Sequence, residues 1–131
     1  MSFTLTAKDY AEYIKLAYDL IHSKGDYITE LDSVTGDGDH WTNINMGFEN
    51  LVKNIDRLEV MGLSDEFKEI GKIMMSVIGG SSGVLYGSAY IAAAKVLKEK
   101  EVLHDADLCA VLKAMLDAIV ARGQAKEGYK T

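Results

Sequence analysis

A chain of 131 residues and 14.4 kDa has the length of one domain built around one core. With 48% hydrophobic and 26% charged residues it carries too much apolar surface to stay disordered, yet no apolar run reaches the roughly 18 residues of a membrane span. The net charge of −6 argues against a binder of nucleic-acid backbone, and a lone cysteine, Cys109, excludes a disulfide framework or a cysteine zinc cluster.

The N-terminal stretch lacks a secretory apolar core, so a reducing cytoplasm is the expected compartment. Proline is absent, where average usage of about 5% would supply six or seven residues. Proline breaks helices, so its absence favours long helices joined by glycine and Asx turns. Thr6 can cap a first helix to about Ser23, with Tyr10, Tyr13, Ile14, Ala17, Leu20 and Ile21 inward. Residues 26–40, broken by Gly36 and Gly38, read as a loop around a short turn. A second helix is predicted over Trp41 to about Arg57, and a third from Ser64 to about Ile78. The run Gly79-Gly80-Ser81-Ser82-Gly83 interrupts the pattern before a densely apolar fourth helix to about Glu101. Asp105 or Asp107 caps a fifth that points Leu108, Val111, Leu112, Met115, Ile119 and Val120 inward and ends at Gly123. Cys109 on this helix reads as a small packed hydrophobe. There is no strand alternation, repeat or linker, so the fold class is all-α, an antiparallel helical bundle in a single domain over 1–131.

Two constellations carry chemistry. In LDSVTGDGDHWTN, Asp32, Asp37 and Asp39 place three carboxylates within eight positions. Such charges repel unless a cation neutralises them, and hard oxygen ligands suit Mg²⁺, Mn²⁺ or Ca²⁺ rather than zinc. An EF-hand is excluded: counted from Asp32, position six is Asp37 and position twelve is Asn43. The bland alternative is a solvated turn whose Asp side chains bond the backbone. In GGSSGVLYG, residues 79 to 87, glycine amides and a helix N-terminus can hold an anion, with Ser81 and Ser82 as hydroxyl donors. No lysine follows as in a P-loop; taken alone, a serine cap with tight packing through Gly83 and Gly87 explains the run better than an anion site does. Together, a carboxylate loop and a phosphate nest are the two halves of a Mg-nucleotide site.

LDSVTGDGDHWTN, VIGGSSGVLYGS and RGQAKEGYKT, in this order and at these separations, resemble the dihydroxyacetone kinase L subunit. The resemblance implies a barrel of eight antiparallel helices, of which this sequence would supply about five, as if cut short of the C-terminal third. It implies two Mg²⁺ ions on Asp32, Asp37 and Asp39. ADP or ATP would be contacted by His40, Trp41, Thr42, Asn43, Ser81, Ser82 and Leu85, and covered by the loop spanning Gly123 and Thr131. Trp41 stands where the family usually has glycine, and its indole could either stack on the base or fill the pocket. The implied activity is a kinase subunit working only with partners. A phosphotransferase-system protein rephosphorylates the bound nucleotide, and the phosphoryl group passes to dihydroxyacetone held on a K subunit. No side chain beyond the metal-nucleotide site is then needed for catalysis. The alternatives are an inactive L-like binding or regulatory module, or a helical domain whose Asp loop holds one structural cation. The apolar lining of so short a barrel would be covered by self-association into a homodimer or belong to a truncated product. No membrane or nucleic-acid partner is implied.

Overall fold

The computed structural model describes residues 3–78 and 80–123. Within them the architecture is helical, with elements in the order β1 (Thr4–Thr6), α1 (Ala7–Ser23), α2 (Gly25–Ser33), α3 (His40–Lys53), α4 (Ile55–Leu58), α5 (Leu63–Val77), α6 (Gly80–Val96), β2 (Val102–His104) and α7 (Asp105–Gly123). The all-α reading holds.

Local chemistry sets several boundaries. Thr6 caps α1 in a reciprocal box: the Asp9 amide donates to its Oγ1 at 3.2 Å, and the Thr6 amide donates to Asp9 Oδ2 at 3.0 Å. Where 26–40 was expected to be mostly loop, Gly25–Ser33 form a helix. Its glycine start and short length hide the helical period from a sequence reading. The predicted second helix breaks at Asn54, whose side chain donates to the Asn50 carbonyl, leaving α4 as a separate turn. Gly80 to Gly83 do not interrupt α6 but begin it.

The strands are a correction too. Thr4–Thr6 pair antiparallel with Val102–His104, Leu5 opposite Leu103, both buried. Three residues are too few to show alternation, so this clasp between the N-terminus and the start of α7 was invisible in sequence.

The centre is the antiparallel pair α5–α6. Ser64 at the start of α5 donates to the Ala94 carbonyl near the end of α6 at 2.7 Å. Midway, a Cβ on Gly71 would meet the Gly87 carbonyl at 2.7 Å, so these backbones touch and neither glycine can gain a side chain in place. Around this pair lie two apolar clusters. One gathers Leu5, Leu63, Phe67, Leu97 and Leu103; the other gathers Ile14, Leu51, Leu58, Ile70 and Met74.

The outer helices are less covered than their patterns predict. On α1, Tyr13 and Leu20 face solvent, while Ala7, Ala11 and Ile14 are buried. On α7, Leu108, Leu112 and Val120 are exposed together with Leu116, forming a ridge with a spacing of four residues. Cys109 beside that ridge is exposed rather than packed. An apolar residue on a helix is inward only where another element lies over it, and α7 rests mainly on α6.

Candidate functional site

The aspartate loop joins α2 to α3. Asp32 is held at the end of α2, where its main-chain carbonyl accepts the Gly36 amide at 2.6 Å and its Oδ2 accepts the His40 amide at 3.1 Å. A Cβ on Gly36 would sit 2.4 Å from Asp32 Oδ1, so only glycine leaves room for that carboxylate. Gly38 takes a positive φ of 79°, which turns the chain back and brings the Asp39 amide to Asp37 Oδ1 at 3.3 Å. The two glycines therefore act differently, one sterically and one conformationally.

The result is a converging trio. Ligand oxygens of Asp32, Asp37 and Asp39 lie within 4.8 Å of one another, with Asp32 half-buried and the other two exposed. Oxygens that share one ion at 2.0–2.6 Å can be no more than about 4–5 Å apart, so a hard divalent cation fits this spacing without rearrangement. Titration reflects the crowding. Asp39 is held above the ordinary carboxylate range, first by its side-chain hydrogen bond with Asp37, then by desolvation and the nearby charges. Asp37 is held below it by the same side-chain bond and by the Asp39 amide.

The serine motif opens α6. Ser81 is exposed, Ser82 is half-buried, and Leu85 lies on the next turn, also half-buried. A Cβ on Gly123, at the end of α7, would lie 3.3 Å from the Leu85 side chain, so these two predicted residues do come together. Thr131 lies outside the described residues.

A contact not foreseen links the motifs. Gly47 on α3 packs so closely on Ile78 that a Cβ would meet Ile78 Cγ1 at 2.5 Å. Ile78 directly precedes the glycine–serine run, and Gly47 is seven residues from the start of α3, roughly 10 Å along its axis. The contact sets the residue before the serine run against the middle of α3. A buried glycine in the middle of a helix was the available signal.

His40, Trp41, Thr42 and Asn43 form the first turn of α3, but they do not share a direction. The Trp41 indole turns to the corner between α1 and α2: its Nε1 donates to the Ile21 carbonyl at 2.7 Å, and its ring lies where a Gly25 Cβ would be, at 2.9 Å. It forms one wall of a cleft of about 760 Å³ whose other walls include Lys24, Asp26, Tyr27 and Glu30. None of the three loop aspartates, Ser81 or Ser82 lines this cleft. His40 and Thr42 are exposed, whereas Asn43 is half-buried.

Residues 34–131 match the DAK2 domain model. The chain belongs to the DAK2 domain family. The match begins two residues after Asp32 and contains both other loop aspartates and the whole serine motif. This DAK2 chain is 34% identical over 127 residues to the ADP-binding subunit DhaL of a PTS-dependent dihydroxyacetone kinase from Lactococcus lactis, covering 97% of this chain and 64% of that protein. It is 38% identical over 104 residues to the ADP-binding subunit DhaL of PEP-dependent dihydroxyacetone kinase 1 from Listeria innocua, covering 79% of this chain and 52% of that subunit. A dihydroxyacetone kinase from Komagataella pastoris is 29% identical over 136 residues, covering 98% of this chain and 22% of its own. The chain therefore spans about half to two thirds of the length of these bacterial subunits. No helix among the described residues is long and apolar enough to cross a membrane.

Proposed function

We propose that this DAK2 domain binds ADP or ATP with divalent metal as the nucleotide-binding part of a dihydroxyacetone kinase. The observation that carries the reading is the convergence of Asp32, Asp37 and Asp39 in a chain related to ADP-binding subunits. Mg²⁺, with two ions as the resemblance implies, would neutralise phosphate charge and let the transferring group accept electrons.

The residues divide the work. Asp32, Asp37 and Asp39 hold the cations, with Asp32 fixed at the end of α2 by the His40 amide. Ser81 and Ser82 offer hydroxyls, and the first amides of α6 offer donors, to phosphate oxygens. His40, Thr42 and Asn43 flank the nucleotide from the first turn of α3. Leu85 gives an apolar contact near the base, and Gly123, packed beside it, belongs to the loop that covers the nucleotide. Trp41 acts by anchoring α3 to the α1–α2 corner. Thr131 would join the cover over the nucleotide.

Positioning and charge neutralisation carry such a transfer, so no general base is required of this chain. The acceptor is dihydroxyacetone on a partner K subunit, and a phosphotransferase-system protein is the phosphodonor, in the cytoplasm. The deciding experiment is calorimetric titration of ADP into the purified chain with Mg²⁺ and again with EDTA. Binding that needs metal and is lost in Asp37→Ala is the expected result; equal affinity in EDTA overturns the reading. Trp41, where the family has glycine, favours a second reading of a module that holds nucleotide without passing on its phosphoryl group. Turnover on adding a K subunit and phosphodonor would eliminate it.

A further inference from the structure

Glu66 lies in the first turn of α5 and is completely buried, yet neither carboxyl oxygen has a hydrogen-bond partner among the described residues. Its position on the helix face is specific. Leu63 and Phe67 beside it belong to one apolar cluster, while Ile70, one turn further, belongs to the other. Tyr10 from α1 and Tyr90 from α6 pack against both clusters, and their hydroxyls touch each other. The Phe67 ring stacks at 4.6 Å from Tyr10 and 5.5 Å from Tyr90, closing the seam. Tyr10 and Tyr90 are the titratable groups that feel the Glu66 charge, and no Lys, Arg or His among the described residues forms an ion pair with it.

We infer that Glu66, Tyr10 and Tyr90 form a proton-operated joint between the two apolar clusters, closed while the Glu66 carboxyl is neutral and loosened, with α1 parting from α5–α6, when it ionises. A neutral carboxyl is a tolerable guest in an apolar seam; an unpaired carboxylate is not, because nothing there replaces its hydration. Burial accordingly pushes the Glu66 carboxyl up to about 8. Both tyrosines are pushed above their ordinary range, chiefly by burial, so they stay neutral while Glu66 titrates. Ionised Glu66 can regain water only if an element moves away. The one that moves is α1, because α5 and α6 are locked by the Gly71–Gly87 contact, whereas α1 brings Tyr10 to the seam but rests mainly on α3.

The test is hydrogen exchange of the full chain at pH 6.5 and 9.5, corrected for intrinsic exchange chemistry. The expected result is at least a tenfold loss of protection in α1 at the higher pH, with Glu66→Gln changing by less than twofold. Flat protection in the wild type, or an equal loss in Glu66→Gln, overturns the proposal. If Glu66→Gln fails to fold, carbon NMR of the wild-type Glu66 carboxyl decides. Titration near 8 in step with α1 amide shifts supports the joint, and titration in the ordinary glutamate range overturns it.

Discussion

The aspartate loop and the Glu66 seam hold acidic groups under opposite conditions. In the loop, three carboxylates crowd together at the surface, hydrated and hydrogen-bonded by backbone amides, so their charge is kept and offered to a cation. In the seam, a single carboxyl sits among aromatic rings with neither oxygen paired, so its charge is suppressed. Number of charges is not what separates them. Access to water and to fixed amide donors is, because these decide whether a carboxylate can exist without a counterion.

The largest expected effect breaks the loop. Asp37→Ala should weaken Mg-dependent ADP binding about a hundredfold or more, since cation affinity follows ligand charge count. Calorimetry reads this, and the melting temperature of the unliganded chain should stay within a degree or two. Glu66→Leu should do the reverse, stabilising the fold at pH 8 by roughly 2 kcal/mol while leaving metal binding alone. Urea unfolding at several pH values measures it.

The sign follows from linkage. The unfolded Glu66 carboxyl titrates near its ordinary 4.5 and the folded one near 8. Below 4.5 both forms carry the proton and the stability of the seam is fully present. Between 4.5 and 8 unfolding releases a proton, so stability falls as pH rises and is lost by about 8. Glu66→Gln should flatten that part of the profile.

Smaller effects sharpen the contrast. Gly36→Ala pushes a methyl into Asp32, and should weaken metal binding about tenfold with little change in stability. Because Asp39 is held above the ordinary range, metal must displace its proton, so affinity should fall as pH is lowered through that titration. Trp41→Phe removes the bond to the Ile21 carbonyl and should cost about 1 kcal/mol of stability, seen as a lowered urea midpoint.

Much of the loop was legible because its chemistry is local. Asp-x4-Asp-x-Asp with intervening glycines dictates convergence within eight residues, whatever surrounds it. Serine at the start of an apolar helix was legible for the same reason, and so were the starts of α1, α5 and α7. Nothing in the sequence marks Glu66, since a carboxylate near a helix N-terminus is favourable in any exposed helix. Only Tyr10, 56 positions earlier, and Tyr90, 24 later, make it a buried one.

Composition, missing proline and apolar period were enough to determine a helical domain with a carboxylate loop and a glycine–serine helix start. Those features depend on residues within a turn or two of each other. Tertiary structure alone decided that α7 and α1 leave leucines in solvent, that Trp41 turns to Gly25, and that Gly47 packs on Ile78. Each depends on which helices meet, and burial of a side chain is a property of the neighbour that covers it.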